Sequence, residues 1–398
     1  MFDVIVLGLG GMGSAAAYHL AARGQRVLGL DRYAAAHDRG SSHGGTRIIR
    51  QAYYEHPQYV PLVQRAYELW EKLERDSGIS LLYLTGGLMI GPPGSSIVEG
   101  TIRSATEHGL PHEVLTATEL RRRYPAFRPR PNDMAVFETR AGFLRPETAV
   151  KTHLHLAAGS GAELHFEEPV TAWTASPSSG VRVTTSLSTY EAGSLVIAPG
   201  PWAPDVLNDL QIPFDVRRQV MCWFQSVGAK EAFLPDQFPV YIYDVDGHDV
   251  FYGFPATDGV NGGVKAAMHT PGERCTADTV RRGTSETDTS GLRSHLSTFL
   301  PELNGPLLKA STCLYTLTPD EHFVVARHPE HPQVCVAAGF SGHGFKFVPV
   351  VGEILADLTV NGSTRHSIQF LAPTRFSAIA KKSCQYLDQP SNAETPPS

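Results

Sequence analysis

Val4-Ile5-Val6-Leu7-Gly8-Leu9-Gly10-Gly11-Met12-Gly13 decides the fold. A short apolar run enters a G-x-G-x-x-G turn directly. An alanine-rich helical stretch follows to about Ala22, then a second apolar run from Val27 to Leu30, then Asp31. Strand, glycine turn, helix, strand and terminal acid in that order form the opening unit of a Rossmann-like, dinucleotide-binding α/β domain. Gly8 permits the tight turn, Gly10 lets the backbone approach a pyrophosphate, and Gly13 lets helix and strand pack closely. The helix start offers N–H groups to the phosphates. Asp31 is placed to accept hydrogen bonds from an adenosine ribose, and Arg32 beside it is assigned to the same cofactor face. The motif alone does not separate NAD from FAD.

Outward from this unit, residues 32–45 form a Gly-, Ser- and His-rich loop on the side of the sheet where ligands bind. Residues 59–76 carry apolar positions at helical spacing: Leu62, Ala66, Leu69 and Leu73. Leu81 to Ile90 reads as strand broken at Gly86-Gly87, and 97–108 as helix. Thr116 and Glu119 have capping-box spacing before a short helix that Pro125 stops. Pro146 suits the first position of a helix over 147–158. Strands are expected at 164–166, 170–173, 181–184 and 195–198, with a turn at Ser176–Gly180.

Between Val216 and Ala267 the pattern changes to short strands separated by polar turns, which predicts a second, antiparallel sheet. Late in the chain, Val334-Cys335-Val336-Ala337-Ala338 leads into Gly339-Phe340-Ser341-Gly342-His343-Gly344 and a helix over about 348–358. The expected fold class is therefore α/β plus α+β. A Rossmann-like domain is built from residues 1–85, 146–215 and 320–382, and a mixed or antiparallel-sheet substrate domain from 86–145 and 216–319. The polar, proline-rich residues 385–398 are expected to be a disordered tail.

Composition narrows the function. Charged residues are 19% of the chain and the formal net charge is −6, so nothing favours nucleic acid or an anionic membrane. No apolar stretch approaches the roughly 18 residues of a membrane span. With core strand starting near the first residue, no signal peptide is expected, and the protein is expected to be cytoplasmic. Cys222, Cys275, Cys313, Cys335 and Cys384 are scattered and odd in number. Neither a disulfide framework nor a metal knuckle is indicated, and no metal is expected.

Several motifs together resemble the monomeric sarcosine oxidase and N-methyltryptophan oxidase family of amine-oxidising flavoenzymes. Gly40-Ser41-Ser42-His43-Gly44-Gly45-Thr46-Arg47-Ile48-Ile49-Arg50 resembles the family's flavin-contacting loop. Phe251-Tyr252-Gly253-Phe254-Pro255 resembles its pocket-tyrosine strand, and Lys265 to His269 has its Lys-to-His spacing. Cys313-Leu314-Tyr315-Thr316 resembles the covalent-flavin cysteine motif. Ser341-Gly342-His343-Gly344-Phe345-Lys346-Phe347 resembles its C-terminal flavin and substrate motif. The similarity spans nearly all of residues 1–380.

The resemblance implies FAD attached covalently through Cys313, with Ser42, His43, Arg50, Gly342, His343 and Gly344 on the cofactor side. Arg47 and Lys346 are expected to hold a substrate carboxylate while also touching the cofactor. Tyr252 and His269 are expected to line the amine end, and Tyr315 to shape the pocket. Lys265 is expected to stabilise charge as oxygen is reduced. The implied partners are a small secondary amino acid and O2, and the implied protein is a monomer. The implied reaction converts sarcosine, O2 and water to glycine, formaldehyde and hydrogen peroxide.

The loop departs from the family pattern at Ser42, Gly45, Gln51 and Tyr54-Glu55-His56. N-methyltryptophan, L-pipecolate and L-proline therefore stay open as alternative substrates. An NAD-dependent dehydrogenase would use the opening turn but leaves Cys313 without a role. A non-enzymatic flavin-binding protein leaves Arg47, Tyr252, Lys265, His269 and Lys346 without one.

Overall fold

The structure is a computed structural model that describes residues 2–176 and 180–376. The turn expected at Ser176–Gly180, the tail and Cys384 fall wholly or partly outside those residues. The opening unit forms as its pattern dictates: strand Phe2–Leu7, helix Gly11–Ala21 and strand Val27–Leu30. Parallel neighbours bury both faces of a strand, which suits runs such as Val4–Leu7. Val334–Ala338, Thr189–Ile197, Phe2–Leu7, Val27–Leu30 and Glu163–His165 lie side by side in parallel. Thr189–Ile197 is shared along its length. Its first half pairs with Gly180–Thr185, which pairs in turn with Val170–Ser176, and its second half with Val334–Ala338. Val324–Arg327 closes the far edge antiparallel.

Helices Gly11–Ala21, Pro146–Gly159 and Val348–Asn361 cover this sheet. Small residues let them approach: a Cβ on Gly352 would meet the Cβ of Ala15 at 2.6 Å. Helix Tyr59–Ser77 packs on Val348–Asn361 and buries Leu62, Ala66, Leu69, Trp70 and Leu73. Gly78 ends it at φ 70°, the left-handed conformation that glycine adopts without a steric cost. The Thr116–Glu119 capping box forms, with Glu119 Oε2 accepting from Thr116 N at 2.8 Å.

The second sheet has eight strands: Leu307–Leu317, Asp215–Phe224, Val264–Met268, Val250–Gly253, Val240–Asp244, Gly87–Gly91, Met134–Glu138 and Glu113–Thr116, in that spatial order. It is antiparallel except where Val240–Asp244 runs parallel to Gly87–Gly91. That pair joins strands distant in sequence, which the turn pattern of 216–267 did not reveal. A small third sheet joins Arg47–Ile49, Gly142–Leu144 and Leu82–Leu84 in that order. Among the described residues no helix is long and apolar enough to cross a membrane.

Candidate active site

A cavity of about 800 Å³ extends from the Gly8–Gly13 turn to the face of the second sheet. At the turn, the three glycines differ. A Cβ on Gly8, at φ 84°, would lie 2.3 Å from the Ala198 carbonyl oxygen, and one on Gly13 would lie 1.7 Å from that of Gly8. Both are needed for packing. At Gly10 the nearest atom would be Ser42 Oγ at 3.8 Å, so that position leaves room for a ligand. Asp31 accepts from Leu9 N at 2.7 Å and Tyr33 N at 2.9 Å. A carboxylate has about four acceptor sites, so bracing the turn leaves capacity for ribose hydroxyls. Arg32 lines the rim and pairs with Asp278 at 2.9 Å. Ser42 Oγ accepts from Gly11 N at 3.1 Å.

At the other end, strand alternation aligns the chemistry. Cys313 and Tyr315, and Lys265 and Ala267, are each two apart, hence on one face of their strands, and Tyr252 pairs with Ala267. Met221, Trp223, Ala267 and Cys313 share a cluster with Tyr252 against it. Arg47 Nη2 donates to Ser41 O at 2.8 Å and to Cys313 Sγ at 3.4 Å. Burial pushes the Cys313 thiol up, but Arg47, His43 and Lys265 outweigh it and bring it down to about 6. His43 is itself buried, with Nε2 unpartnered. Lys265 stands behind the loop and does not line the cavity. Its Nζ donates to Gly44 O at 2.8 Å, Thr46 O at 2.9 Å and Thr46 Oγ1 at 3.1 Å. Burial, with Arg47 nearby, holds that ammonium well below the usual lysine range.

The cations group differently from the sequence expectation. Lys346 and Arg50 share one site, and Arg47 belongs to Cys313. Arg50 is fully buried, donates to both oxygens of Glu55 at 2.8 and 2.6 Å, and keeps Nε unpartnered. Lys346 Nζ donates to His343 O at 2.8 Å. Burial, then Arg50, lowers Lys346 to about 7, with Glu55 opposing. Burial opposes ionisation of Glu55, but Arg50, His343 and Lys346 lower it to about 2. Two cations against one carboxylate leave a site that favours an anion. Arg47 is separated because residues three apart in extended chain point to opposite faces.

His269 Nδ1 lies 3.3 Å from Tyr315 Oη, and Tyr252 stands edge-on to its ring. Burial lowers His269 to about 4, so it is neutral near pH 7. Gly342, at φ 80°, admits the Tyr315 ring, which a Cβ would meet at 2.5 Å. Gly344 makes the same room for Phe340. His343 lines the cavity, bonds the Tyr53 hydroxyl through Nδ1 and donates from Nε2 to Glu321 O at 3.0 Å.

Glu147 was not anticipated. It accepts from Gly44 N at 2.5 Å and Gly45 N at 3.0 Å, fixing the loop over Cys313. An acid in the first turn of a helix is so ordinary that only its spacing from Pro146 marks it. Asp209, His328 and His331 could together offer a metal three ligands. However, His328 Nδ1 accepts from the Glu330 and His331 amides, so Nε2 carries the proton and donates to Asp209 at 2.9 Å. No lone pair is left there for a cation.

The cavity fits FAD: room at Gly10, acceptors at Asp31, a buried unpartnered Thr316 Oγ1 in the wall, and an acidic thiol at the sheet end. Fold and site define a flavin-dependent amine oxidoreductase. The chain belongs to the FAD dependent oxidoreductase family, which it matches over residues 3–358. It is 54% identical to the monomeric sarcosine oxidase of Streptomyces avermitilis over 379 residues, 95% of this chain and 98% of that one. It is 38% identical to the N-methyl-L-tryptophan oxidase of Yersinia pestis, over 89% of this chain and 94% of that one. Among solved structures it resembles NikD, described as an unusual amino acid oxidase essential for nikkomycin biosynthesis. That likeness has a TM-score of 0.81 at 26% identity, and covers 94% of this chain and 97% of NikD.

Proposed function

We propose that this chain is a sarcosine oxidase, converting N-methylglycine, O2 and water to glycine, formaldehyde and hydrogen peroxide. The observation that carries the reading is the pair of buried cations, Arg50 and Lys346, beside a neutral His269 in a relative of sarcosine oxidase. The cations take the substrate carboxylate. Arg50 supplies a planar fork and Lys346 a point charge. Tyr252, His269 and Tyr315 surround the amine. A neutral histidine in a desolvated pocket favours the unprotonated amine, the form with a lone pair.

Bound FAD supplies the two-electron acceptor and the link to O2. Gly8, Gly10, Gly13, Asp31, Arg32 and Ser42 brace or line its dinucleotide end. His43, Arg47, Gly342, His343 and Gly344 do so near the ring. Cys313 is the point of covalent attachment, and Arg47 stabilises its thiolate. Lys265 supplies positive charge to oxygen reduction through the Gly44–Thr46 loop. The chain acts as a cytoplasmic monomer. Its cofactor domain is assembled from residues 1–85, 146–215 and 320–382 and its substrate domain from 86–145 and 216–319.

Anaerobic mixing of the loaded protein with sarcosine, L-proline, L-pipecolate and N-methyltryptophan tests the reading. Sarcosine is expected to bleach the flavin fastest and, in air, to give the largest kcat/KM with one peroxide formed per amine oxidised. Sarcosine as by far the weakest of the four would sink it.

A further inference from the structure

The substrate end of the cavity carries an aromatic residue, Tyr54, that is not among the carboxylate and amine contacts proposed above. Tyr54 lines the cavity. Its ring centre lies 4.2 Å from the Arg50 guanidinium carbon, which also sits 4.4 Å from the Tyr53 ring. Cation–π attraction of this kind holds ring and guanidinium together. Tyr54 also packs, with Ile48 and Tyr252, on the cluster of Met89, Ile97, Val98, Val136 and Ile242. Ile48, Ile242 and Tyr252 line the same cavity, so the wall is continuous.

The backbone behind the ring is fixed. A Cβ on Gly100 would lie 2.7 Å from Tyr54 O, so helix Ser96–Glu107 presses directly on the loop. Ser104 Oγ donates to Tyr53 O at 2.6 Å. A wall backed by a packed helix does not yield to a larger ligand at low cost.

We propose that Tyr54 sets the substrate size limit. An amino acid held by its carboxylate on Arg50 and Lys346 brings its α-substituent against the Tyr54 ring, so the site takes glycine derivatives and excludes bulky side chains. This inference rests on the oxidase reading above, and deepens it to a substrate class. The wall is apolar and positioned by Arg50, so it discriminates by volume and not by charge.

The test compares kcat/KM for sarcosine, N-methyl-L-alanine and N-methyl-L-phenylalanine in flavin-loaded wild type, Tyr54→Phe, Tyr54→Ala and Tyr54→Trp. Any loosening of Arg50 affects every substrate carboxylate alike and cancels in the ratios. Tyr54→Ala is expected to raise the N-methylphenylalanine-to-sarcosine ratio about tenfold or more. Tyr54→Trp should lower the N-methylalanine-to-sarcosine ratio, and Tyr54→Phe should leave both ratios near wild type. A parallel titration with acetate and indole-3-acetate, followed by flavin absorbance, reads binding without turnover. Tyr54→Ala should tighten only the indole ligand. Ratios and affinities unchanged in the flavin-containing variants, with wild type active on sarcosine, overturn the size limit. A wild type that oxidises none of these amines overturns the oxidase reading instead.

Discussion

A thiol becomes a nucleophile by losing its proton, and Cys313 is buried among groups that promote that loss. The sign follows from the charges: Arg47, His43 and Lys265 favour the thiolate, so removing one moves the thiol back up. In flavin-free protein, iodoacetamide should alkylate Cys313 with a pH midpoint near 6. Arg47→Met should move that midpoint upward, read by mass spectrometry of the tryptic peptide. A midpoint that ignores Arg47→Met would refute the assignment of its charge to the sulfur. Lys346 gives a second pH signature. Its ammonium is present below about 7 and lost above it, so acetate should bind more weakly as pH rises through that value. Lys346→Met should bind acetate weakly at every pH, with the slope gone. The sequence named both cations but paired Lys346 with Arg47. Only the strand Arg47–Ile49, held against Gly142–Leu144, shows which way each of two arginines three residues apart must point.

At the scale of the element, the strand–turn–helix unit was fully legible because each glycine has a distinct steric task. The structure separates those tasks. Gly13→Ala drives a methyl into the Gly8 carbonyl, at or above the roughly 1–3 kcal/mol of ordinary overpacking. It should yield little soluble, yellow protein. Gly10 sits at φ −67° with open space beside it, so Gly10→Ala should fold normally yet hold less FAD. The ratio of visible to ultraviolet absorbance and a thermal melt distinguish the two. Equal loss of folding in both variants would show that Gly10 serves packing alone. The second sheet was less legible. Its one parallel pair joins residues 87–91 to 240–244, a contact with no local sequence signature. Glu147 was missed as a site residue, and Tyr54 was marked only as a departure from the family loop, for a related reason: an aromatic or an acid near a loop is common, and its direction is set by distant partners.

For the whole molecule, the segment from Arg32 to Thr46 is where the two large sheets are fastened. Ser41 Oγ donates to Leu314 O at 2.6 Å, and Arg282 Nη2 to Arg39 O at 2.6 Å. Arg32 and Asp278 pair at the rim, and Lys265 holds Gly44 and Thr46 from the other side. A ligand lodged along this segment stabilises the folded arrangement by mass action. Trypsin should therefore cut after Arg39, whose side chain is 53% exposed, on the order of tenfold faster in flavin-free protein, because cleavage follows the population of opened loop. Equal cutting rates with and without FAD would show that the loop is closed by its protein contacts alone.

The cavity begins at a turn in one sheet and ends at a sulfur on a strand of the other. With FAD joined to Cys313, as proposed, the prosthetic group becomes a permanent part of the chain's inventory. Its stoichiometry is then settled once, when each molecule matures. Dilution, dialysis and a later shortage of riboflavin change how many new molecules become competent, while those already made keep their colour for life.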